Sequence, residues 1–134
     1  MNAFIVELKN QPGEFAKVAE ALSDKGINIT GFTGATCGDS GTVVLTADDE
    51  TATRQVLTEK QWKHRPVELV TASLADRPGT LAEVTRALGK AGVNIEAALP
   101  IGMTGGNVQI AFATDNPAKA RDILQRQPVG AQSR

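Results

Sequence analysis

The feature that most constrains this chain is an internal repeat. Shifting the sequence by 66 positions lays residues 8–29 on residues 74–95, and ten of those 22 pairs are identical. They are Leu8/Leu74, Pro12/Pro78, Gly13/Gly79, Ala16/Ala82, Val18/Val84, Ala21/Ala87, Leu22/Leu88, Gly26/Gly92, Asn28/Asn94 and Ile29/Ile95. With small gaps the match continues, residues 41–45 falling against 106–110 and Val56-Leu57 against Ile123-Leu124. A period of this length means that one supersecondary unit is used twice, which sets the predicted domains at residues 1–66 and 67–134.

Both units predict the same elements. Phe4, Val6 and Leu8 alternate with Ile5, Glu7 and Lys9, and Val70, Ala72 and Leu74 take the equivalent places; this is the period of a half-buried strand. A Pro-Gly turn follows. Phe15, Val18, Ala19 and Leu22, matched by Leu81, Val84 and Leu88, then recur at three-and-four spacing, predicting a helix with one stripe toward a core. Gly26 and Gly92 are its expected C-terminal glycines. Ile27-Asn28-Ile29 and Val93-Asn94-Ile95 open a second strand, which a glycine hairpin turns back into a third. Asp48-Asp49-Glu50 and Asn116-Pro117 are starts of a second helix. That helix buries Ala52, Val56 and Leu57, or Ala120, Ile123 and Leu124.

The order strand, helix, strand, strand, helix calls for a closing strand, giving an α+β ferredoxin-like βαββαβ unit with helices on one face of an antiparallel sheet. In the first unit that strand is expected near residues 62–69, running without a turn into the first strand of the second unit. In the second unit it falls on residues 128–134, a polar segment whose strand is expected to be short or absent.

With 41% hydrophobic residues, 22% charged residues and a net charge of −1, the chain has the composition of a globular protein able to bury a core. It is not basic enough to point to nucleic acid, and no apolar run approaches the roughly 18 residues of a membrane span. Neither nucleic acid nor membrane is an expected partner, and a cytoplasmic location follows by default. A single cysteine excludes an internal disulfide and a cysteine metal cluster. Aromatic content of 4% leaves little stacking surface for bases.

At Asn10-Gln11-Pro12-Gly13 and Asp76-Arg77-Pro78-Gly79, and at the junctions Lys25-Gly26-Ile27-Asn28-Ile29 and Ala91-Gly92-Val93-Asn94-Ile95, each unit resembles an ACT domain. The resemblance implies a non-catalytic regulatory fold, with domains packed side by side and a free amino acid held where adjacent domains meet. No cofactor and no metal are implied. The partners it implies are that amino acid, a second copy of the chain, and an effector protein that the sequence does not identify.

An amino acid presents a carboxylate beside an ammonium, so its receptor must place donors next to acceptors. Backbone N–H groups around Gly13-Glu14-Phe15 and Gly79-Thr80-Leu81 start a helix, where unsatisfied donors and the helix dipole favour a carboxylate. Asn28 and Asn94, followed by Ile29 and Ile95, carry both an acceptor and a donor. Asn10 and Asp76 stand on the loop, and the charged Asp76 makes the stronger ammonium partner, so the two sites are expected to differ in affinity. Side-by-side packing would bring the Asn10 loop to Asn94 and the Asp76 loop to Asn28. Those twelve positions are the candidate binding residues; no catalytic residue is expected.

Each has a structural alternative. Asn10 and Asp76 fit equally as helix caps, and Asn28 and Asn94, between apolar neighbours, fit as buried amides bonded to main chain. The glycines at 31, 34, 38 and 41 lack the Gly-Lys-Ser/Thr ending of a phosphate loop and fit a hairpin. His64 lies in the basic run 60–65, expected to be a solvated linker, and Cys37 is expected to be a small buried cysteine. Two rival functions remain for this topology, a structural dimerisation module without a ligand and a small ferredoxin-like enzyme.

Overall fold

The computed structural model of the chain describes residues 1–126. Its elements follow the order β1 (Asn2–Lys9), α1 (Glu14–Ser23), β2 (Ile29–Cys37), β3 (Ser40–Ala47), α2 (Glu50–Glu59), β4 (His64–Ala75), α3 (Thr80–Lys90), β5 (Ile95–Thr104), β6 (Asn107–Thr114) and α4 (Pro117–Arg126). They fall into two compact units, residues 2–67 and residues 68–126 together with Met1. The closing strand of the second unit, expected over 128–134, lies outside the described residues.

In the first unit the alternation of β1 decides which side is core. Phe4 and Val6 are fully buried and lie opposite Leu45 and Val43 of β3. Val18 and Leu22 from α1 and Val56 and Leu57 from α2 close over them, so both helices cover one face of an antiparallel sheet. The strands run β2-β3-β1, with the start of β4 on the free side of β1, where Glu7 N–H donates to the Lys63 carbonyl at 2.9 Å.

The second unit repeats the plan. Residues 69–75 of β4 pair antiparallel with residues 107–113 of β6, and β5 flanks β6 on its other side. Val70, Leu74 and Phe112 of the sheet meet Val84 and Leu88 of α3 and Ala120 and Leu124 of α4. Together the units are two α+β ferredoxin-like βαβ-βα layers, and β4, twelve residues long, supplies its start to one and its end to the other.

Local chemistry explains the boundaries. Gly26 and Gly92 have φ of 72° and 76°, a conformation that costs an L side chain about 1–2 kcal/mol. Each closes a Schellman turn: Gly26 N–H donates to Ser23 and Ile27 N–H to Leu22, while Gly92 N–H donates to Gly89 and Val93 N–H to Leu88. Asp49 caps α2 by accepting from Ala52 N–H at 2.9 Å, and the Asn116 side chain accepts from Lys119 N–H at 3.1 Å with Pro117 opening α4.

Four expectations need correction. The core stripe of α3 runs through Thr80, Val84 and Leu88, and Leu81 is 55% exposed. The buried stripe through Thr80, Val84 and Leu88 is centred near Val84, which leaves position 81 at its edge in the first turn. Cys37 is exposed, because it ends β2 at the hairpin tip beyond the cover of the helices. His64 is not linker but the first residue of β4, half-buried with its ring 6.3 Å from that of Phe4. Asn28 and Asn94 are exposed rather than buried.

Because the two glycine turns have the same geometry, Gly26→Ala and Gly92→Ala should each lower the free energy of unfolding by about 1 kcal/mol, measured by urea denaturation. Leu22→Ala and Leu88→Ala, which empty fully buried positions, should each cost about 3 kcal/mol.

Candidate functional site

The loop after β1 is tied to the β2–β3 hairpin. Asn10 N–H donates to the Asp39 carbonyl and the Asn10 side-chain amide donates to the Gly38 carbonyl, both at 2.9 Å. Asn10 is therefore a latch between loop and hairpin and does not cap α1. The N-cap of α1 is Gly13, at φ 85°, and no side chain caps it. The second unit does the same: Gly79 at φ 95° precedes α3 without a side-chain cap, and Asp76 N–H donates to the Gly106 carbonyl at 2.9 Å. Both first helices thus begin with backbone N–H groups that no side chain satisfies, at the positive end of the helix dipole.

In the first unit this helix start borders a cleft of about 480 Å³, within the roughly 300–1,000 Å³ of small-molecule sites. Asn10, Glu14 and Phe15 line it, and the opposite side is formed by Phe32 and Gly34 of β2 and Val43 of β3. The Phe15 and Phe32 rings are tilted at 47° with centroids 5.5 Å apart, a favourable aromatic geometry. Phe32 nevertheless remains 59% exposed. Glu14 occupies the helix position whose next turns are the buried Val18 and Leu22, so its side chain is only 13% exposed. Lys17, one turn on and largely in solvent, donates to Glu14 Oε2 at 2.8 Å. Gly34 keeps the wall flat, since a Cβ there would sit 3.3 Å from the Thr42 carbonyl oxygen.

The remaining candidates in this unit lie elsewhere. Asn28 is at the other end of α1, about 15 Å away along a ten-residue helix. Its N–H donates to Asp48 Oδ1 at 3.0 Å, and its carbonyl accepts from Asp48 N–H at 3.0 Å. The side chain of the next residue, Ile29, packs against the first core. Asn94 repeats this clasp with Asp115, at 2.9 Å and 3.1 Å, and Ile95 packs against the second core. The structure brings Asn10, Glu14 and Phe15 to one cleft beside Gly13, and leaves Asn28 and Ile29 at the far end of the same unit. Sequence reasoning missed Phe32, Gly34 and Val43, and the two aspartates that clasp the asparagines. An aromatic residue on the exposed alternation of β2 was the available signal for Phe32.

At the head of α3 the chemistry differs. Thr80 replaces Glu14; it is buried, and its hydroxyl donates to the Ala75 carbonyl at 2.7 Å. Leu81 replaces Phe15. Ala98, opposite Phe112, takes the cross-strand place that Phe32 holds opposite Leu45.

Among the described residues no three His, Cys, Asp or Glu side chains are grouped to hold a metal ion. No described helix is long and apolar enough to cross a membrane.

Comparison with known proteins meets this geometry. The family model described as an ACT domain pair matches residues 1–68, and the model described as an ACT domain matches residues 69–124. No curated protein sequence matches the chain significantly. Among solved structures, protein BT0572 from Bacteroides thetaiotaomicron is similar with a TM-score of 0.78 and 22% identity, over 96% of this chain and 89% of that one. The ligand-free regulatory subunit of aspartate kinase from Thermus thermophilus is similar with a TM-score of 0.66 and 18% identity, over 93% and 89%. Its counterpart from Thermus flavus gives 0.65 and 22%, over 93% and 88%. At these identities the likeness is one of fold. The domain-pair model alone spans half the sequence, and the second repeat matches in its own right: the chain belongs to the ACT domain family and carries two such domains in tandem.

Proposed function

We propose that this chain is a non-catalytic regulatory module that binds a free amino acid and signals its presence to an effector protein. The domains of this reading are residues 1–66 and 67–134. One observation carries it: a single cleft combines an uncapped helix start, a shielded carboxylate and an apolar wall. Those are the three surfaces that a zwitterion with a side chain requires. The N–H groups following Gly13 would receive the carboxylate, and Glu14 with the Asn10 carbonyl group would receive the ammonium. Structural neighbours described as regulatory subunits of aspartate kinase support a regulatory role. The same reading includes the seam between units that the family resemblance implies, with Asn94 and Ile95 completing the Asn10 site, and Asn28 and Ile29 completing the one at Asp76, Gly79, Thr80 and Leu81.

A second copy of the chain is part of the proposal. β5 lies at the end of its sheet, and Ile101 and Met103 on it are exposed. An open edge with apolar side chains favours pairing between copies, and the same observation favours the alternative of a dimerisation module with no ligand.

A thermal-shift screen of the full chain against the common amino acids separates the two. A binder at about 100 times its Kd should stabilise the protein by about 2.7 kcal/mol; a flat response across the panel selects the ligand-free module. With the binder in hand, Glu14→Gln should weaken it at least tenfold by calorimetry, the loss of one charge-assisted bond of about 1.5–3 kcal/mol. Asn94→Ala with unchanged affinity would remove the seam from the proposal and leave the cleft.

A further inference from the structure

This step rests on the amino-acid binding just proposed and narrows it to one site: we infer that the two units are unequal, the first unit's cleft taking one amino acid with an apolar side chain and the corresponding position at the head of α3 taking none. The repeat makes the comparison position by position. In the first unit the half-buried Glu14 carboxylate faces the cleft; in the second, Thr80 stands there with its hydroxyl already donated to Ala75. The first unit sets Phe15 against Phe32, and the second sets Leu81 and Ala98 at the same places, which removes both rings. Gly34, which lies opposite Val43 and keeps the wall flat, becomes Pro100 opposite Ile110. These changes remove the shielded carboxylate, both rings and the flat wall; the one acidic residue gained, Asp76 in place of Asn10, is exposed on the loop rather than shielded beside a cleft.

The lining of the first cleft also selects the side chain. Phe32 is a large apolar group more than half in water, and it lines the cleft with Phe15, Leu8 and Val43. An aliphatic or aromatic side chain laid across the two rings removes that surface from water. A polar side chain laid over the same two rings loses hydration against an apolar surface. An acidic one adds a like charge near Glu14. Glycine leaves the rings exposed. The ligand class is therefore the amino acids with branched aliphatic or aromatic side chains.

Calorimetry of the full chain with L-leucine, L-phenylalanine, glycine and L-aspartate tests this. Leucine or phenylalanine should bind with one site per chain, at least tenfold more tightly than glycine or aspartate. Phe32→Ala should weaken leucine about 10- to 100-fold while changing glycine less than threefold. Backbone amide shifts on the unaltered protein give the same answer without a variant: Phe15, Gly34 and Gly41 should move with leucine, and Leu81, Gly102 and Gly106 should not. Two sites per chain, a preference for glycine or aspartate, or equal shifts in both units would overturn the inequality and leave amino-acid binding standing. Absence of binding by every amino acid in the thermal screen would overturn both.

Discussion

Everything at the candidate site depends on a glycine with left-handed backbone at the start of the first helix of each unit. Gly13 and Gly79, at φ 85° and 95°, occupy the position where most helices place Ser, Thr, Asp or Asn. The chain must turn sharply from the end of a strand into a helix that lies back across the sheet, and this conformation makes the turn. The consequence is electrostatic. With no side chain at the cap, the first backbone N–H groups of α1 are left without a side-chain acceptor, only Glu14 N–H making a long 3.4 Å bond to the Gln11 carbonyl, at the positive end of the helix dipole, where an anion is stabilised. The topology that produces the fold therefore produces a half-made anion site twice over.

What becomes of that half-made site depends on the stripe of the helix. α1 and α3 bury every fourth residue, Val18 and Leu22 in one and Val84 and Leu88 in the other. Extending each stripe back one turn reaches the site, at Glu14 and Thr80. A threonine there is absorbed into the structure, because its short side chain reaches the Ala75 carbonyl and is satisfied. A glutamate is too long and too charged to be absorbed, so it stays at the margin of the core, shielded on one side and paired with Lys17 on the other. One substitution at one helix position thus turns a closed end into an open, charged one, and Phe32 in place of Ala98 adds the apolar wall.

Most of the fold was legible in the sequence because its signals are local or periodic. The alternation of Phe4 and Val6, the four-residue spacing of Val18 and Leu22, the caps at Asp49 and Asn116, and the glycines at 26 and 92 each act within a few residues of themselves. The errors arose where a contact across the chain overrides a local preference. Asn10 reads as a cap, yet its amide is drawn to Gly38, 28 residues on, by a hairpin whose position no local pattern discloses. Leu81 reads as core from its spacing and apolar character, but the residue buried in that first turn is Thr80, and Leu81 stands exposed at the edge of the stripe. Asn28 reads as buried between two isoleucines, and its main chain is instead clasped by Asp48, which leaves the side chain in solvent. Of the site, the loop and helix start were legible as a motif, whereas Phe32 comes within 5.5 Å of Phe15 only through the pairing of β2 with β3.

On the proposed function, the latch gives occupancy of the cleft a way to be felt beyond it. Three segments converge there: the loop carrying Asn10, the first turn of α1, and the hairpin ends of β2 and β3. The strand ladder joins β1 to β3 as far as Lys9 and Ser40, and beyond it the loop is tied to the hairpin tip by the two bonds from Asn10 to residues 38 and 39. A ligand touching all three binds only the arrangement in which they meet, and so adds its binding free energy to that arrangement and not to one in which the hairpin has parted from the loop. The elements that respond include an edge strand, β2, whose outer hydrogen-bonding groups are the natural attachment for another chain. On the proposed function, ligand and partner would act on the same piece of structure, and coupling between them would require no pathway through the core.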